Sequence, residues 1–554
     1  KDGIIELRRG VDDLSLGGSR YSQVRILVDN DRYLKGMAVY SDDMPDGVDV
    51  IFNTNKTPDK SMRDVLKKIK DDPDNPFGSL IKPNGQSHYI DKDGNEQLSL
   101  INKRADEGDW DDWSNAIPSQ FLSKQALPLA RKQLNEARRN KLDEFEEIKA
   151  LENPTIKKHL LEDFASNCDS AAVNLKAAAL PGQKYHVIIP VNSLKDNEVY
   201  APNYETGTQI ALIRYPHGGT FEIPILTVNN NNPQGNKMIG KDSVDAVGIT
   251  SKVAERLSGA DFDGDTVMCI PTNNGKVKIT STKPLKGLEG FDPKLNYGAE
   301  KVVEDADGKH YYRNGHEYRK MTNTQTEMGK ISNLITDMTL AGANEDELAR
   351  AVRHSMVVID AEKHGLDYKQ SEIDNNIAGL KKDYQRQVDA DGNVRYGGAS
   401  TLISRAGSQT SVPKRQGSPI VNIKGKEGYD PTKPEGSLVY KTADDLYYPE
   451  RSYDKTTGKM TMKTTTGKKI VYDVKDKEAA EKYAPVKKVD EKTGEVTFTN
   501  KTGDISYKVE TRMQKSTKMA EATNAYSLVS DAKHPMELLY ADYANSMKSL
   551  ANEA

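Results

Sequence analysis

The sequence predicts an α+β protein, with two strand-rich regions on either side of a helical connector. Three observations predict it. First, strand patterns open the chain. Gln23-Val24-Arg25-Ile26-Leu27-Val28 alternates, Gly36-Met37-Ala38-Val39-Tyr40 is apolar, and Asp49-Val50-Ile51-Phe52 follows a Pro45-Asp46-Gly47 turn. Second, residues 122–151 carry few breakers and alternate Lys/Arg with Glu, as a long solvent-exposed helix does. Third, strands return over 184–290, in Tyr185-His186-Val187-Ile188-Ile189-Pro190, Gln209-Ile210-Ala211-Leu212-Ile213 and Glu222-Ile223-Pro224-Ile225-Leu226.

The remaining elements follow in order. Residues 61–70 read as a basic helix. Residues 71–115 are rich in Asp, Asn, Pro and Gly, with Trp110 and Trp113 near their end. Residues 325–385 are helical. Residues 420–510 form a Lys/Thr/Gly-rich β region, punctuated by Thr456-Thr457-Gly458, Thr465-Thr466-Gly467, Lys492-Thr493-Gly494 and Lys501-Thr502-Gly503 as hairpin turns. A helix from about residue 511 closes the chain. No repeat covers the whole sequence.

A chain of 554 residues has room for three or four domains. With 36% hydrophobic and 29% charged residues it is polar but globular, which excludes a disordered chain. No run of 18 apolar residues predicts a membrane span. Lys1-Asp2-Gly3-Ile4-Ile5-Glu6 has no signal core. Two cysteines, Cys168 and Cys269, cannot frame a disulfide scaffold, so a reducing, cytoplasmic setting is expected. Both ends read as interior sequence, so a longer polypeptide is expected. The net charge of −4 decides little, because a nucleic-acid enzyme needs positive charge only along its channel.

The strongest chemical signal is Asp261-Phe262-Asp263-Gly264-Asp265. Alternate residues on a smooth strand would spread three carboxylates over about 13 Å. They converge only if the backbone curls, which Gly264 permits. Apolar flanks, Ala260 and Phe262 before and Val267-Met268-Cys269-Ile270 after, would pin the loop to a core strand. Hard oxygen donors suit Mg²⁺, and clustered carboxylates repel without a cation. An ordinary turn is the competing reading. Asp91-Lys92-Asp93-Gly94, Asp305-Ala306-Asp307-Gly308 and Asp389-Ala390-Asp391-Gly392 are read as such turns. A calcium loop of the EF-hand kind fails, because its Gly and Glu positions hold Thr266 and Thr272.

The segment resembles the catalytic motif of multisubunit RNA polymerases. It is more closely similar to single-chain two-barrel polymerases, both phage enzymes and the RNA-dependent RNA polymerases of RNA silencing. Ile213-Arg214-Tyr215-Pro216-His217-Gly218-Gly219-Thr220-Phe221-Glu222 resembles their Arg-x-Pro segment, and Asp245-Ala246-Val247-Gly248-Ile249 the strand leading to the loop. Met328-Gly329-Lys330-Ile331-Ser332-Asn333 and His354-Ser355-Met356-Val357-Val358-Ile359-Asp360-Ala361-Glu362-Lys363-His364-Gly365 resemble helices of the silencing group. Tyr33-Leu34-Lys35-Gly36-Met37-Ala38 and Asn53-Thr54-Asn55-Lys56 fit the lysine-bearing barrel. The series spans about residues 30–370. Multisubunit enzymes have Asn two residues before the first Asp; Gly259 stands here and leaves the choice of NTP over dNTP open.

The resemblance implies two double-psi β-barrels joined by a long helical connector, with helical segments and a β-rich insertion after the second barrel. The implied boundaries are 1–115 (lysine-bearing barrel), 116–180 (connector), 181–290 (barrel with the metal loop), 291–420 (helices beside the cleft), 421–510 (insertion) and 511–554 (C-terminal helix). It implies that Asp261, Asp263 and Asp265 hold Mg²⁺ and are catalytic. Arg214, Lys35 and Lys56 would bind substrate, with Lys60 a rival to Lys56. The expected activity is template-directed RNA synthesis from NTPs, of the phage type, with a DNA template favoured over RNA. The alternatives are a silencing-type enzyme, a primase or a polymerase using dNTPs, and a catalytically silent polymerase-like structural or virion protein. The helix with Lys124, Arg131, Lys132, Arg138 and Arg139 is a candidate nucleic-acid face, as are Lys414 and Arg415, with a solvated face as the rival reading. Expected partners are template, RNA product, NTPs and further parts of a larger polypeptide or virion, with no membrane.

Overall fold

Period-two alternation builds the first sheet and gives it two working faces. The computed structural model describes residues 4–29, 31–52, 66–69, 88–90, 92–98, 101–103, 114–215, 217–257, 259–403 and 524–554. It also describes shorter runs at 420–421, 424, 438–439, 450–454, 456–463, 469–473, 486–489, 496–499 and 506–508. The strands are β1 (Ile4–Leu7), β2 (Tyr21–Val28), β3 (Arg32–Tyr40), β4 (Val50–Phe52), β5 (Lys67–Lys68), the hairpin β6 (His88–Ile90) and β7 (Glu96–Leu98), and β8 (Ile101–Lys103). The sheet runs β4-β1-β3-β2-β8, with β1 parallel to β3 and β5 paired to β3. Val24, Ile26, Leu34 and Ala38 turn to a core shared with Ile5 and Leu7. The opposite face carries Tyr21, Met37 and Val39, which pack with Val187 and Ile189 of a second sheet. By the same alternation Gln23, Arg25 and Lys35 belong to that second face.

Short strands β9 (Ala116–Ile117) and β10 (Ala177–Ala178) stand at the two ends of the connector. The second sheet comprises β11 (Lys184–Pro190), β12 (Glu198–Val199), β13 (Gln209–Ile213), β14 (Ile225–Val228), β15 (Ala246–Ile249) and β16 (Thr266–Pro271), in the order β12-β14-β13-β16-β11-β15. β12 is parallel to β14 and β11 to β15; the other neighbours are antiparallel. A bridge between Tyr200 and Gly248 joins the two ends of this path, so the sheet curls into a nearly closed barrel. Its interior holds Ile188, Ile210, Leu212, Val247, Val267 and Cys269. Such a barrel has almost no free strand edge, and buried strands need near-continuous apolar runs, as β11 and β16 show. Both sheets belong to one compact unit, made of Lys1–Ile117, Lys124–Leu129 and Ala178–Lys286.

The other unit, Pro118–Ser123, Ala130–Ala177 and Gly287–Ala554, is mainly helical where described. Helix Pro154–Asn174 starts at Asn153, whose side chain accepts from Thr155 N and Ile156 N, with Pro154 in the first turn. Phe145 and Phe164 stack at 5.2 Å, and helix Pro535–Glu553 packs along Pro154–Asn174. Helix Glu345–His364 opens on a reciprocal Asn344/Glu347 cap and stops at Gly365, whose φ of 61° only glycine takes without cost. No helix among the described residues is long and apolar enough to cross a membrane.

Several expectations need correction. Of the helix expected over 61–70, the described part is strand β5, because Tyr33 and Arg32 of β3 offer it a pairing edge that outweighs local propensity. The strand expected from Glu222 is a 3-10 turn, Thr220–Glu222, and the strand starts at Ile225. The helical region after the second sheet opens with a meander, β17 (Lys301–Asp305), β18 (Gly308–Arg313) and β19 (His316–Tyr318), and carries the hairpin β20 (Arg386–Val388) and β21 (Val394–Tyr396). The described closing helix begins at Pro535, where Glu537 and His534 cap it, while 511–523 lie outside the described residues. Within 420–510, after the pair β22 (Ile420–Val421) and β23 (Leu438–Val439), two three-stranded antiparallel sheets are described. They are β24 (Glu450–Asp454), β25 (Lys459–Lys463), β26 (Lys469–Asp473) and β27 (Val486–Val489), β28 (Val496–Thr499), β29 (Ser506–Lys508). Their sequences match, Asp454-x-x-Thr457-Gly458-x-Met460-Thr461 against Asp490-x-x-Thr493-Gly494-x-Val496-Thr497, then Ile470-x-Tyr472 against Ile505-x-Tyr507. This is a local duplication that a search for chain-wide repeats passes over.

Candidate active site

The Asp loop connects helix Ser251–Arg256 to β16. Thr250 caps that helix by accepting from Val253 N, and Ala260 N then donates to Leu257 O, tightening the approach to the loop. Phe262 turns inward and joins the barrel core at 7% exposure. Burying such a ring contributes roughly 2–3 kcal/mol at most, enough to pin the middle of the loop. At the far end Ile188 N donates to Asp265 O at 3.0 Å, which ties the loop to β11. Gly264 has φ 107°, and a Cβ there would lie 2.6 Å from Gln23 Nε2. Glycine is therefore required twice over, by conformation and by the close approach of Gln23.

The carboxylates meet cations that come from distant parts of the chain. Asp263 Oδ2 accepts from Lys35 Nζ at 3.0 Å, and its backbone carbonyl accepts from Gln23 Nε2 at 2.7 Å. Asp265 Oδ2 lies 3.0 Å from an Arg214 guanidinium nitrogen and accepts from Asp261 N at 2.8 Å. Burial pushes the Asp265 carboxyl above its ordinary value; Arg214 and the Asp261 N–H oppose this, and the neighbouring Asp263 and Asp261 add to it. Arg214 extends from the end of β13, which lies beside β16 in the barrel.

Sequence reasoning missed two residues here. Arg25 lies directly across the strand pair from Lys35, is buried, and holds its guanidinium 5.4 Å over the Tyr33 ring. Burial lowers its pKa, while Tyr33 and Asp263 act in the opposite direction. Gln23, two residues before Arg25, holds the loop backbone. Alternation along β2 puts Gln23 and Arg25 on one face, but only the packing against the second sheet shows that this face turns inward.

The structure thus brings Lys35, Arg214, Asp261, Asp263 and Asp265 together, and adds Arg25 and Gln23. Lys56, Lys60, Lys414 and Arg415 lie outside the described residues. The reading of Lys124 as part of a nucleic-acid face is corrected. It precedes helix Leu127–Lys149, is buried, and donates to the carbonyls of His217 and Gly218 at 3.2 Å each. Arg131, Arg138 and Arg139 are exposed. Arg131 and Arg138 line a groove of about 670 Å³ with Asn135, Asp542 and Ser546.

Three carboxylates within five residues supply hard donors of the kind Mg²⁺ takes. The Asp263 and Asp265 side chains are drawn towards Lys35 and Arg214. Among the described residues no three His, Cys, Asp or Glu groups are gathered as a metal cage. The donor set therefore fits Mg²⁺ in kind.

No family model matches the sequence, and no curated protein matches it. Among solved structures the chain is similar to the RNA dependent RNA polymerase QDE-1 from Thielavia terrestris, with a TM-score of 0.34 and 13% identity. The likeness covers 74% of this chain and 47% of that one, so this chain spans under half of that protein's length.

Proposed function

We propose that this chain is the catalytic core of a template-directed RNA polymerase, in which two double-psi β-barrels face one another across the Asp loop. The observation that carries it is the meeting of Asp263 and Asp265 with Lys35 and Arg214, two separate stretches of sequence converging on one loop. Phosphoryl transfer is mostly positioning and charge stabilisation, and this site contains both signs of charge at hydrogen-bond range. Asp261, Asp263 and Asp265 would hold Mg²⁺, which supplies Lewis-acid stabilisation of the phosphoryl oxygens. Lys35, a compact ammonium, neutralises charge on a triphosphate or the RNA 3′ end once it leaves Asp263. Arg214 offers a planar fork of donors to a phosphate or ribose. Arg25 adds positive charge behind Lys35. Lys56 is proposed for the same cleft from the sequence. The enzyme is proposed to be of the phage type and to copy DNA, with an RNA template as the alternative.

The test is RNA synthesis from labelled NTPs on matched single-stranded DNA and RNA templates with Mg²⁺, for the parent and Asp263→Ala. Template-dependent product from the parent alone supports the reading and names the template. Equal product from both chains would sink it. One observation favours a second reading, a polymerase-like body kept for structure: two of the three loop acids are already paired, Asp263 with Lys35 and Asp265 with Arg214. Silence from both proteins on both templates, with Mg²⁺ leaving thermal stability unchanged, supports that reading instead.

A further inference from the structure

The stretch between β13 and β14 carries Arg214 and is fastened by charged side chains that the proposed chemistry does not use. Gly218 N donates to Glu222 Oε2 at 2.7 Å. Arg256 donates to the carbonyls of Phe221, Ile223 and Thr282, at 3.3, 3.1 and 2.8 Å. Lys124 Nζ holds the carbonyls of His217 and Gly218, and the next residue, Gln125, exchanges hydrogen bonds with the backbone of Thr280. A buried ammonium costs free energy that an apolar side chain of similar length would not. Burial pushes Lys124 down to about 8, opposed by the Glu222 carboxylate. General stability is thus a poor explanation for a lysine here. What the ammonium does, and methionine cannot, is hold two successive carbonyls at one point, three and four residues beyond Arg214.

We infer that Lys124 is a positioning residue, which fixes the loop so that the Arg214 guanidinium is held at Asp265 and at the nucleotide. The inference rests on the polymerase reading for its nucleotide half alone. Lys124 acts through Arg214, so its effect depends on Arg214 being present.

The experiment is a double-mutant cycle on the full chain with Lys124→Met, Arg214→Ala and the pair together, read as kcat and KM for NTP. Amide hydrogen exchange over residues 217–223 is measured in parallel. Lys124→Met should raise KM on the order of ten- to a hundredfold through misplacement of Arg214. Arg214→Ala should lose at least as much, and the pair no more than Arg214→Ala alone. Amides of Gly218 to Ile223 should exchange faster in Lys124→Met, and Lys124→Arg should restore most of both readouts. If Lys124→Met does not fold, Lys124→Gln takes its place in the cycle. Additive losses, or a lowered Tm with KM unchanged, would show a merely structural lysine and overturn the inference. If the parent makes no RNA, the polymerase reading fails and exchange alone decides. Faster exchange confined to 217–223 then supports the positioning role, and unchanged exchange there overturns it.

Discussion

The string Asp-x-Asp-Gly occurs in two settings whose difference is instructive. In the hairpin between β17 and β18, Asp305 Oδ1 accepts from Asp307 N at 2.8 Å, so the carboxylate closes its own turn. Asp389 does the same between β20 and β21, accepting from Asp391 N and Asn393 N. Those backbone hydrogen bonds hold both carboxyls below the ordinary range. In the Asp261 loop Asp265 also accepts from Asp261 N, but the cationic partners, Lys35 and Arg214, are long-range, and burial pushes Asp265 the other way. A carboxylate satisfied by its own turn is structural; one satisfied by cations from other strands can exchange them for a metal or a substrate.

The comparison is broken most directly by neutralising one acid in each setting. Asp263→Asn is expected to reduce RNA synthesis on the order of a thousandfold or more, several kcal/mol of lost transition-state stabilisation. Asp307→Asn, in the exposed hairpin, should leave the rate unchanged. Comparable losses from both would mean that the Asp261 loop is only another turn.

The cations come next. Lys35→Met and Arg214→Ala should each reduce kcat/KM for NTP by about ten- to a hundredfold, as loss of one charged donor does in a partly buried site. In Lys35→Met, Asp263 loses the Lys35 ammonium and should bind Mn²⁺ more tightly, which electron spin resonance measures without turnover. Weaker Mn²⁺ binding would contradict the view that Lys35 occupies a metal ligand.

How much of this was legible in the sequence differs by element. The Asp loop was legible because its information is local, acids at alternate positions around a glycine, between apolar flanks. Arg214 and Lys35 were reached through the resemblance, since nothing local separates them from other surface cations. Arg25, Gln23 and the buried position of Lys124 were not reached, because each depends on what packs against it. Alternation along β2 gives two faces and does not say which one meets the barrel. The strands β11, β13 and β16 were legible as apolar runs, whereas β5 owes its form to β3. Closure of the barrel at Tyr200 and Gly248 is a long-range fact that periodicity does not contain.

The glycines sharpen the contrast at a smaller scale. Gly264 and Gly308 both have positive φ, 107° and 119°, so alanine strains each by about 1–3 kcal/mol. A Cβ at Gly308 meets nothing within 4 Å, while one at Gly264 displaces the Gln23 amide from Asp263 O. Urea unfolding should therefore show a larger loss for Gly264→Ala, by about 1 kcal/mol for the lost hydrogen bond. RNA synthesis should fall in that variant alone. Equal losses would indicate that Gln23 moves aside freely.

The smallest effect is a slope. Asp337 is a third kind of acid, buried in the helical unit, accepting from Ser400 N, Ser400 Oγ and Gln385 Nε2. Burial raises it to about 6, the bonds from Ser400 and Gln385 oppose the rise, and the charge of Glu537 adds to it. A carboxyl raised in the folded state holds its proton more tightly than in the unfolded chain. Its stabilising contribution is present below the unfolded value near 4 and is lost as pH rises through 6. Asp305 has the opposite sign: its contribution is present above the ordinary carboxylate range and is lost as pH falls below it. Asp337→Asn should leave Tm flatter between pH 4 and 7 than in the parent, whatever its constant offset from altered hydrogen bonding. Asp305→Asn should change the slope only at the acid end. The slopes are diagnostic because a carboxylate held by its own turn and one buried among distant partners titrate in opposite directions, although both accept backbone N–H bonds. An unchanged slope in Asp337→Asn would mean that Ser400 and Gln385 compensate the burial fully, and Asp337 would then belong to neither kind.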